Sequence, residues 1–216
     1  SMRSFLLDLL FPSLPLGREP MAGSHDSGGE GLRAHPLCFE GHALIRRGMP
    51  SLDRLACGAS YAASPVVQEA IRRFKYRRGM EYGEHLGRML VATAAFVPTW
   101  PPPVLCPVPL HWTRQFTRGF NQAEVLATAV SAARGWPVAS LLRRTRPTGA
   151  QAKRCSAERR RALDDAFAWC GDRIPLRVVL VDDVVTTGAT LDACARVLRE
   201  VGVARVDAIT IAVAFA

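Results

Sequence analysis

Residues 178–191 decide the fold, and they read VVLVDDVVTTGATL. The segment from Arg177 to Val181 is rich in valine and leucine, a composition typical of a strand buried on both faces of a parallel sheet. Two acids follow it, then a short loop of hydroxyl residues with one glycine. A helix is predicted from Thr190 to Val201, and Gly202 ends it. This succession of strand, loop and helix indicates an α/β unit.

The loop has the chemistry of a phosphate site. In open α/β sheets, ligands bind outside the carboxyl ends of the strands. The loop leads into a helix amino terminus, where backbone N–H groups and the helix dipole attract an anion. Gly188 lets the backbone approach a ligand closely, and hydroxyl donors come from Thr186, Thr187 and Thr190. We therefore expect this loop to bind a phosphate group.

Asp182 and Asp183 argue against a ligand that is phosphate alone, because carboxylates repel it. Carboxylates accept hydrogen bonds from vicinal hydroxyls, and they bind Mg²⁺ directly or through water. A phosphate and a diol close together describe a ribose 5-phosphate. The sequence therefore predicts a ribose 5-phosphate site with Mg²⁺ near the two acids.

Two other protein classes also place acids at the end of a strand. P-loop NTPases do so, but the chain contains no Gly-x-x-x-x-Gly-Lys-Ser/Thr motif, which excludes this class. A phospho-acceptor receiver domain would carry its paired acids early in the domain, whereas here they lie near the end. Ribose 5-phosphate binding is the favoured interpretation.

Strand and helix signals alternate along the rest of the chain, which predicts a parallel sheet flanked by helices. We divide the chain into an amino-terminal segment and flexible loop (1–36), a region resembling a degenerate zinc module (37–63) and the main domain (64–216). The predicted helices are Ser64 to Phe74, Tyr82 to Phe96, Asn121 to Arg134 and Ser156 to Phe167. The further predicted strands are Val104 to Val108, Val138 to Leu142 and Val206 to Val213.

The net charge of +9 in 216 residues is concentrated in one segment. Residues 104–162 hold eleven Lys and Arg but two acids, so the rest of the chain is neutral overall. This indicates a polyanionic partner: a phosphorylated small molecule, a nucleic acid, or both. The chain contains no long uncharged apolar run, so the sequence predicts no membrane-spanning helix. Its six scattered cysteines form no Cys-x-x-Cys pair, which indicates a reducing, cytoplasmic location.

Several motifs resemble a known family. Residues 178–191 resemble the phosphoribosyl diphosphate (PRPP) signature of type I phosphoribosyltransferases. Other runs resemble the ComF family of competence-associated phosphoribosyltransferase-like proteins: FKYR at 74–77, PVPLHW at 107–112, RGFNQ at 118–122, Thr148 with Gln151, and Ala166-Phe167. The resemblance covers the chain from about Ala56 to its carboxyl end and implies a type I phosphoribosyltransferase-like sheet flanked by helices, with a small irregular or helical amino-terminal portion.

The resemblance implies specific roles. Asp182 and Asp183 would hold the ribose hydroxyls and act as the catalytic acids, with Mg²⁺ nearby. Arg118 and Asn121 would contact the diphosphate, although Asn121 is equally suited to cap a helix. An active protein would transfer phosphoribosyl from PRPP to an acceptor that the sequence does not identify. The implied PRPP-binding residues are Asp182, Asp183, Val184, Val185, Thr186, Thr187, Gly188, Ala189 and Thr190.

The basic segment supports an alternative function. The chain would be a competence factor that binds single-stranded DNA and works with the DNA-uptake machinery, and its PRPP pocket would be regulatory or vestigial. The nucleic-acid candidates are Arg143, Arg144, Arg159, Arg160 and Arg161.

Family members usually begin with a cysteine zinc module, but here Cys38, His42 and Cys57 lack ligand spacing for zinc. We expect these cysteines to pack rather than to bind zinc. For His111, a structural role is favoured over contact with phosphate.

Overall fold

The computed structural model describes residues 37–40, 45, 48–75, 80–110, 119–145 and 166–214. The seven strands among these residues form a main sheet of five and a separate antiparallel pair. The strands are β1 (Leu37–Glu40), β2 (Arg54–Ser60), β3 (Val104–Pro107), β4 (Leu142–Arg144), β5 (Phe167–Trp169), β6 (Arg177–Val185) and β7 (Arg205–Val213).

The main sheet has the order β1-β2-β7-β6-β3. β2, β7, β6 and β3 are parallel to one another, and β1 pairs antiparallel with β2 at the edge. β6 and β7 are buried along most of their length, because other elements cover both faces of the sheet. This confirms the predicted α/β class with a parallel sheet.

Four helices within the described ranges cover the two faces of the sheet. They are α1 (Pro65–Phe74), α2 (Met80–Thr93), α3 (Gln122–Arg134) and α4 (Ala189–Glu200), and a short 3-10 turn, Ala94–Phe96, follows α2. The first three pack on one face, where Phe74, Leu86 and Leu126 meet Val179 and Val181 of β6. α4 and the β4–β5 pair pack on the other face, where Leu191, Leu198 and Phe167 meet Val178 and Leu180.

Local sequence signals explain where the helices begin and end. Pro65 occupies the first turn of α1, where its missing N–H group costs nothing. The Asn121 side chain caps α3, and Gly135 ends that helix with φ of +68°. These boundaries follow the sequence-based predictions closely.

Two predicted elements need correction. The strand predicted from Val138 to Leu142 is wrong in position: Val138 makes one bridge to Leu105, and the regular strand is Leu142–Arg144. Most of the helix predicted from Ser156 lies outside the described residues, but Phe167, its predicted end, opens strand β5 instead. In both cases, hydrogen bonding to a neighbouring segment determines where the strand forms. A short apolar run in the sequence does not reveal that partner.

The region 37–63 also contributes to the main sheet. β2 lies between β1 and β7, and its residues from Arg54 to Ser60 pair in parallel with β7. The sequence analysis predicted no strand here and assigned residues 37–63 to a separate region resembling a degenerate zinc module, because their pattern is weak. Within the described part of the chain, no helix has the length and apolarity to span a membrane.

Candidate functional site

β6 extends beyond both acids. Val184 and Val185 still pair with Ala212 and Val213 of β7, so the predicted strand end at Val181 is too early. Asp182 and Asp183 therefore lie inside the last part of a hydrogen-bonded strand rather than in a loop. The sheet holds their backbone rigidly, which suits side chains that must keep a fixed position.

The two carboxylates serve opposite faces of the sheet. Asp183 reaches the face of α1, where its Oδ2 atom lies 3.4 Å from Nζ of Lys75. Asp182 lies toward α4, close to the Cys194 thiol. The pKa of this thiol is raised well above its usual range, first by burial, then by the Cys106 thiol and then by the charge of Asp182. Alternation along a strand explains this arrangement. A ligand at the end of β6 can therefore meet a carboxylate from either face.

Backbone amides orient both carboxylates. The Asp183 N–H group donates to Oδ1 of Asp182 at 2.8 Å, and the Val184 N–H group donates to Oδ1 of Asp183 at 2.8 Å. Each carboxylate is thus bound to the amide of the next residue. The second oxygen of Asp183, Oδ2, faces the ammonium group of Lys75.

The environment of Asp182 disfavours its charge. Burial and then the nearby Asp183 carboxylate raise the pKa of Asp182 to about 8, and the Asp183 amide and Lys75 oppose the rise. A proton or a cation is therefore favoured at this position near neutral pH. Raised carboxyl pKa values of this kind are typical of ligand and catalytic sites.

The loop after β6 exposes its hydroxyl residues. Thr186 and Thr187 are exposed, Thr190 is half-buried, and Oγ1 of Thr187 accepts a bond from the Ala189 N–H group at 3.4 Å. Gly188 has a φ of +76°, which turns the chain into α4. The first turn of a helix leaves backbone N–H groups without intrahelical partners, so they can bind an anion.

The nine predicted PRPP-binding residues are contiguous in the structure but differ in what they can offer. Val185 lies in the core, and Ala189 is buried. Their contribution to a ligand is restricted to backbone groups. The polar side chains available are those of the two acids and the three threonines.

The segment before β2 packs against the loop between β6 and α4. Met49 is fully buried and packs against Gly188, and Gly48 approaches the Thr187 carbonyl oxygen. The Ser51 N–H group donates to Oδ1 of Asp192, in the first turn of α4, at 2.9 Å. The amino-terminal region thus fixes the geometry of the loop, a role that the sequence did not reveal.

Lys75 is the functional candidate that sequence reasoning missed. It follows the last residue of α1, and its backbone N–H group donates to the Ile71 carbonyl at 3.3 Å. In the sequence it appeared as part of a family motif without an assigned role. The rarity of lysine could have singled it out, since Lys75 and Lys153 are the two lysines among 28 basic residues.

The diphosphate candidates separate in the structure. Arg118 lies outside the described residues. Asn121 is buried: its Oδ1 accepts from the Ala123 N–H group at 3.0 Å, and its Nδ2 donates to the Val108 carbonyl at 3.2 Å. The side chain joins the end of β3 to the start of α3. Its capping role is therefore observed, and its role toward diphosphate remains a prediction.

The nucleic-acid candidates also differ from one another. Arg159, Arg160 and Arg161 lie outside the described residues. Arg143 is exposed on β4, whereas the Arg144 guanidinium lies 5.3 Å from the ring centroid of Phe167. This cation–π contact gives Arg144 a packing role that the sequence did not predict.

Cys57 belongs to the core rather than to an open metal site. It is fully buried, its thiol accepts from Oγ1 of Thr210 at 3.2 Å, and burial raises its pKa to about 12. Zinc binds thiolate, which this environment disfavours. Cys38 is exposed on β1, and His42 and His111 lie outside the described residues.

The donor set of the two acids fits Mg²⁺. This ion prefers oxygen ligands and is usually held in proteins by one or two carboxylates together with phosphates of the substrate. Asp182 and Asp183 supply two carboxylates, and the favoured cation at Asp182 agrees with such a role. In the part of the chain that the structure describes, no group of three or more His, Cys, Asp or Glu forms a metal cluster. A ligand phosphate would have to complete the coordination.

Comparison with known proteins gives the class. The phosphoribosyl transferase domain family matches residues 171–215, which contain β6, the loop, α4 and β7. Together with the parallel sheet and its flanking helices, this match defines a type I phosphoribosyltransferase-like α/β protein.

Comparison with individual proteins gives the family. Competence protein F of Haemophilus influenzae is 31% identical over 166 residues, covering 73% of this chain and 72% of that protein. DNA utilization protein YhgH of Escherichia coli is 32% identical over 167 residues, covering 73% and 71%. Competence protein ComFC of Bacillus subtilis is 30% identical over 168 residues, covering 78% and 68%. The chain belongs to the ComF family, which confirms the resemblance.

Proposed function

We propose that this protein binds PRPP together with Mg²⁺ at the carboxyl end of β6 and acts as a phosphoribosyltransferase. One observation carries the proposal: two oriented carboxylates on the end of a buried parallel strand lead directly into a threonine- and glycine-containing loop at a helix amino terminus. A sugar diol and a phosphate, held close together, match these two halves of the site.

Each half of the site has a distinct task. Asp182 and Asp183 accept hydrogen bonds from the ribose hydroxyls, and the loop from Thr186 to Thr190 binds the 5′-phosphate through backbone N–H groups and hydroxyls. When bound, Mg²⁺ supplies positive charge that stabilises the leaving diphosphate. The rigid strand keeps the ribose fixed while positive charge develops at its C1 atom.

Calorimetric titration with PRPP and Mg²⁺ tests the proposal. The wild-type protein should bind with micromolar affinity, corresponding to about −8 kcal/mol. The double variant Asp182→Asn/Asp183→Asn should remain folded and lose this binding. Asp172→Asn is the matched control, because Asp172 is exposed and lies in the connection before β6, whereas the two acids lie near the other end of that strand. An unchanged affinity of the double variant for PRPP would contradict the proposal.

The names of the relatives support a link to competence and DNA utilization. A second candidate function is binding of single-stranded DNA, favoured by these names and by the exposed Arg143 on β4. It predicts DNA affinity that falls with salt and falls further in a variant in which Arg143, Arg159, Arg160 and Arg161 are changed to Ala.

The structure offers a control for the DNA experiment. Arg173 is also exposed but lies in the connection before β6, whereas the two acids lie near the other end of that strand. Arg173→Ala should leave DNA affinity and its salt dependence unchanged. A DNA affinity that does not respond to salt would count against a specific DNA surface. So would an equal loss of DNA affinity in Arg173→Ala and in the four-arginine variant.

A further inference from the structure

The basic residues of the chain are almost all arginines, with one informative exception in the site. Of 28 basic residues, 26 are Arg and two are Lys. One of the two lysines, Lys75, lies at the paired acids with its Nζ atom 3.4 Å from Oδ2 of Asp183. Among the described residues, it is the only cation that forms an ion pair with either of these carboxylates.

The type of cation matters for how firmly Asp183 is held. An arginine would bind a carboxylate through two parallel hydrogen bonds in a fixed plane, whereas a lysine ammonium is a compact charge on a flexible stem. The Lys75 side chain is 34% exposed, and that of Asp183 is 16% exposed. The ammonium group can therefore leave the carboxylate for water or for another anion at small cost.

The position of Lys75 connects two binding events. Lys75 compensates the negative charge of Asp183, the carboxylate with which it pairs. A divalent cation that binds the acids competes with Lys75 for Asp183. Once released, the ammonium group remains beside the site, where it can pair with an anionic ligand. Its backbone is anchored to the end of α1 by the bond to the Ile71 carbonyl, so it cannot move far.

We propose that Lys75 is an exchangeable counter-ion of the site: it pairs with Asp183 until a divalent cation takes that carboxylate, and it then pairs with a phosphate of the ligand. Lys75 is thus a positioning residue for Asp183 and a determinant of the cooperativity between metal and ligand. This inference rests on the proposed function, since it assigns Asp183 to the metal and a phosphorylated ligand to the same site.

Metal and ligand affinities should respond to Lys75 in opposite directions. In Lys75→Met, which keeps the length of the stem and removes the charge, Mg²⁺ alone should bind about two- to fivefold more tightly. PRPP in saturating Mg²⁺ should bind about tenfold more weakly, because a charge-assisted contact is lost. In Lys75→Arg, Mg²⁺ alone should bind more weakly than to the wild type, because the guanidinium holds Asp183 more firmly.

Calorimetry with Mg²⁺ alone, supported by Mn²⁺ titration followed by electron paramagnetic resonance, measures the first affinity, and calorimetry with PRPP measures the second. Arg73→Met is the matched control: Arg73 lies on the same helix end and pairs with Glu69 rather than with the site. It removes one positive charge and should change neither affinity.

Parallel losses of both affinities in Lys75→Met would overturn the inference, because they indicate a purely structural role. Unchanged affinities, or no metal binding by wild type and variants alike, would overturn it too. Failure of the proposed function itself looks different: the wild-type protein would then fail to bind PRPP, while the order of Mg²⁺ affinities among the three proteins would still be measured.

Discussion

Gly188 and Met49 are in direct contact at the turn that enters α4. A β-carbon added to Gly188 would lie 2.4 Å from both Cγ and Sδ of Met49, whose side chain is fully buried. Gly188 also has a φ of +76°, a conformation that is unfavourable for other residues. Two independent constraints, backbone conformation and space, therefore require glycine at this position.

Gly188→Ala should lower the free energy of unfolding by about 2 to 4 kcal/mol, through both backbone strain and overpacking against Met49. Gly135→Ala is the matched control. Gly135 has a similar φ of +68°, but nothing lies within 4 Å of an added β-carbon, so the variant should lose about 1 kcal/mol. Urea unfolding measures both values. Equal losses at the two positions would show that the Met49 contact does not constrain the turn.

Protein stability should depend on pH through Asp182. Its pKa is raised from 3.8 to about 8 by burial and by Asp183, so the folded protein keeps a proton that the unfolded chain releases. The associated stability is fully present below about pH 4 and is lost as pH rises toward 8, with a limiting slope of about 1.4 kcal/mol per pH unit.

Asp182→Asn removes this titration, so the variant should become progressively more stable relative to wild type between about pH 4 and pH 8. Thermal or urea unfolding across this range measures the difference. The exposed Asp172 provides the control, since Asp172→Asn should follow the wild-type profile. A constant difference between Asp182→Asn and wild type at all pH values would contradict the assignment.

Asn121 should contribute to stability through its cap. Asn121→Ala loses the acceptor for the Ala123 N–H group and the donor to the Val108 carbonyl, and should cost about 1 to 3 kcal/mol. Asn121→Ser keeps a capping oxygen and should lose less. If the residue acts only as a cap, folded Asn121→Ser binds PRPP as the wild type does. A loss of about tenfold or more would instead establish contact with the diphosphate.

The sequence predicted the elements whose signals are local. The apolar run ending in Asp182 and Asp183, the glycine before α4 and the cap at Asn121 each depend on a few neighbouring residues. These signals were enough for the α/β class and for the order of strand, acids, loop and helix. The end of β6 was misplaced because pairing of Val184 and Val185 with β7 is a long-range property.

Residues that meet through the tertiary fold were beyond local reasoning. Lys75 and Asp183 are far apart in sequence and meet because α1 ends beside the carboxyl edge of the sheet. Met49 lies in a weakly patterned region, yet it packs against the turn at Gly188. Likewise, the sequence alone suggests that Arg144 is a solvated basic residue. The pairing of β4 with β5 brings it next to the ring of Phe167.

Arg177 and Asp207 form a buried ion pair at the amino-terminal edge of the sheet. The Arg177 side chain is 1% exposed and that of Asp207 is fully buried, and Nε of Arg177 donates to Oδ2 of Asp207 at 2.8 Å. Nη1 of Arg177 donates to the Pro98 carbonyl at 2.6 Å. The pair thus ties β6, β7 and the segment before β3 together.

Removing Asp207 should be costly, because it leaves the Arg177 charge buried without a carboxylate partner. Asp207→Asn should lower the free energy of unfolding by about 3 to 5 kcal/mol, whereas the double variant Arg177→Met/Asp207→Leu should be closer to wild type. Arg177 lies about 16 Å along β6 from Asp182. PRPP affinity, measured by calorimetry on the folded double variant, should therefore stay at the wild-type value. A double variant less stable than Asp207→Asn would show that the two charges do not act as a pair.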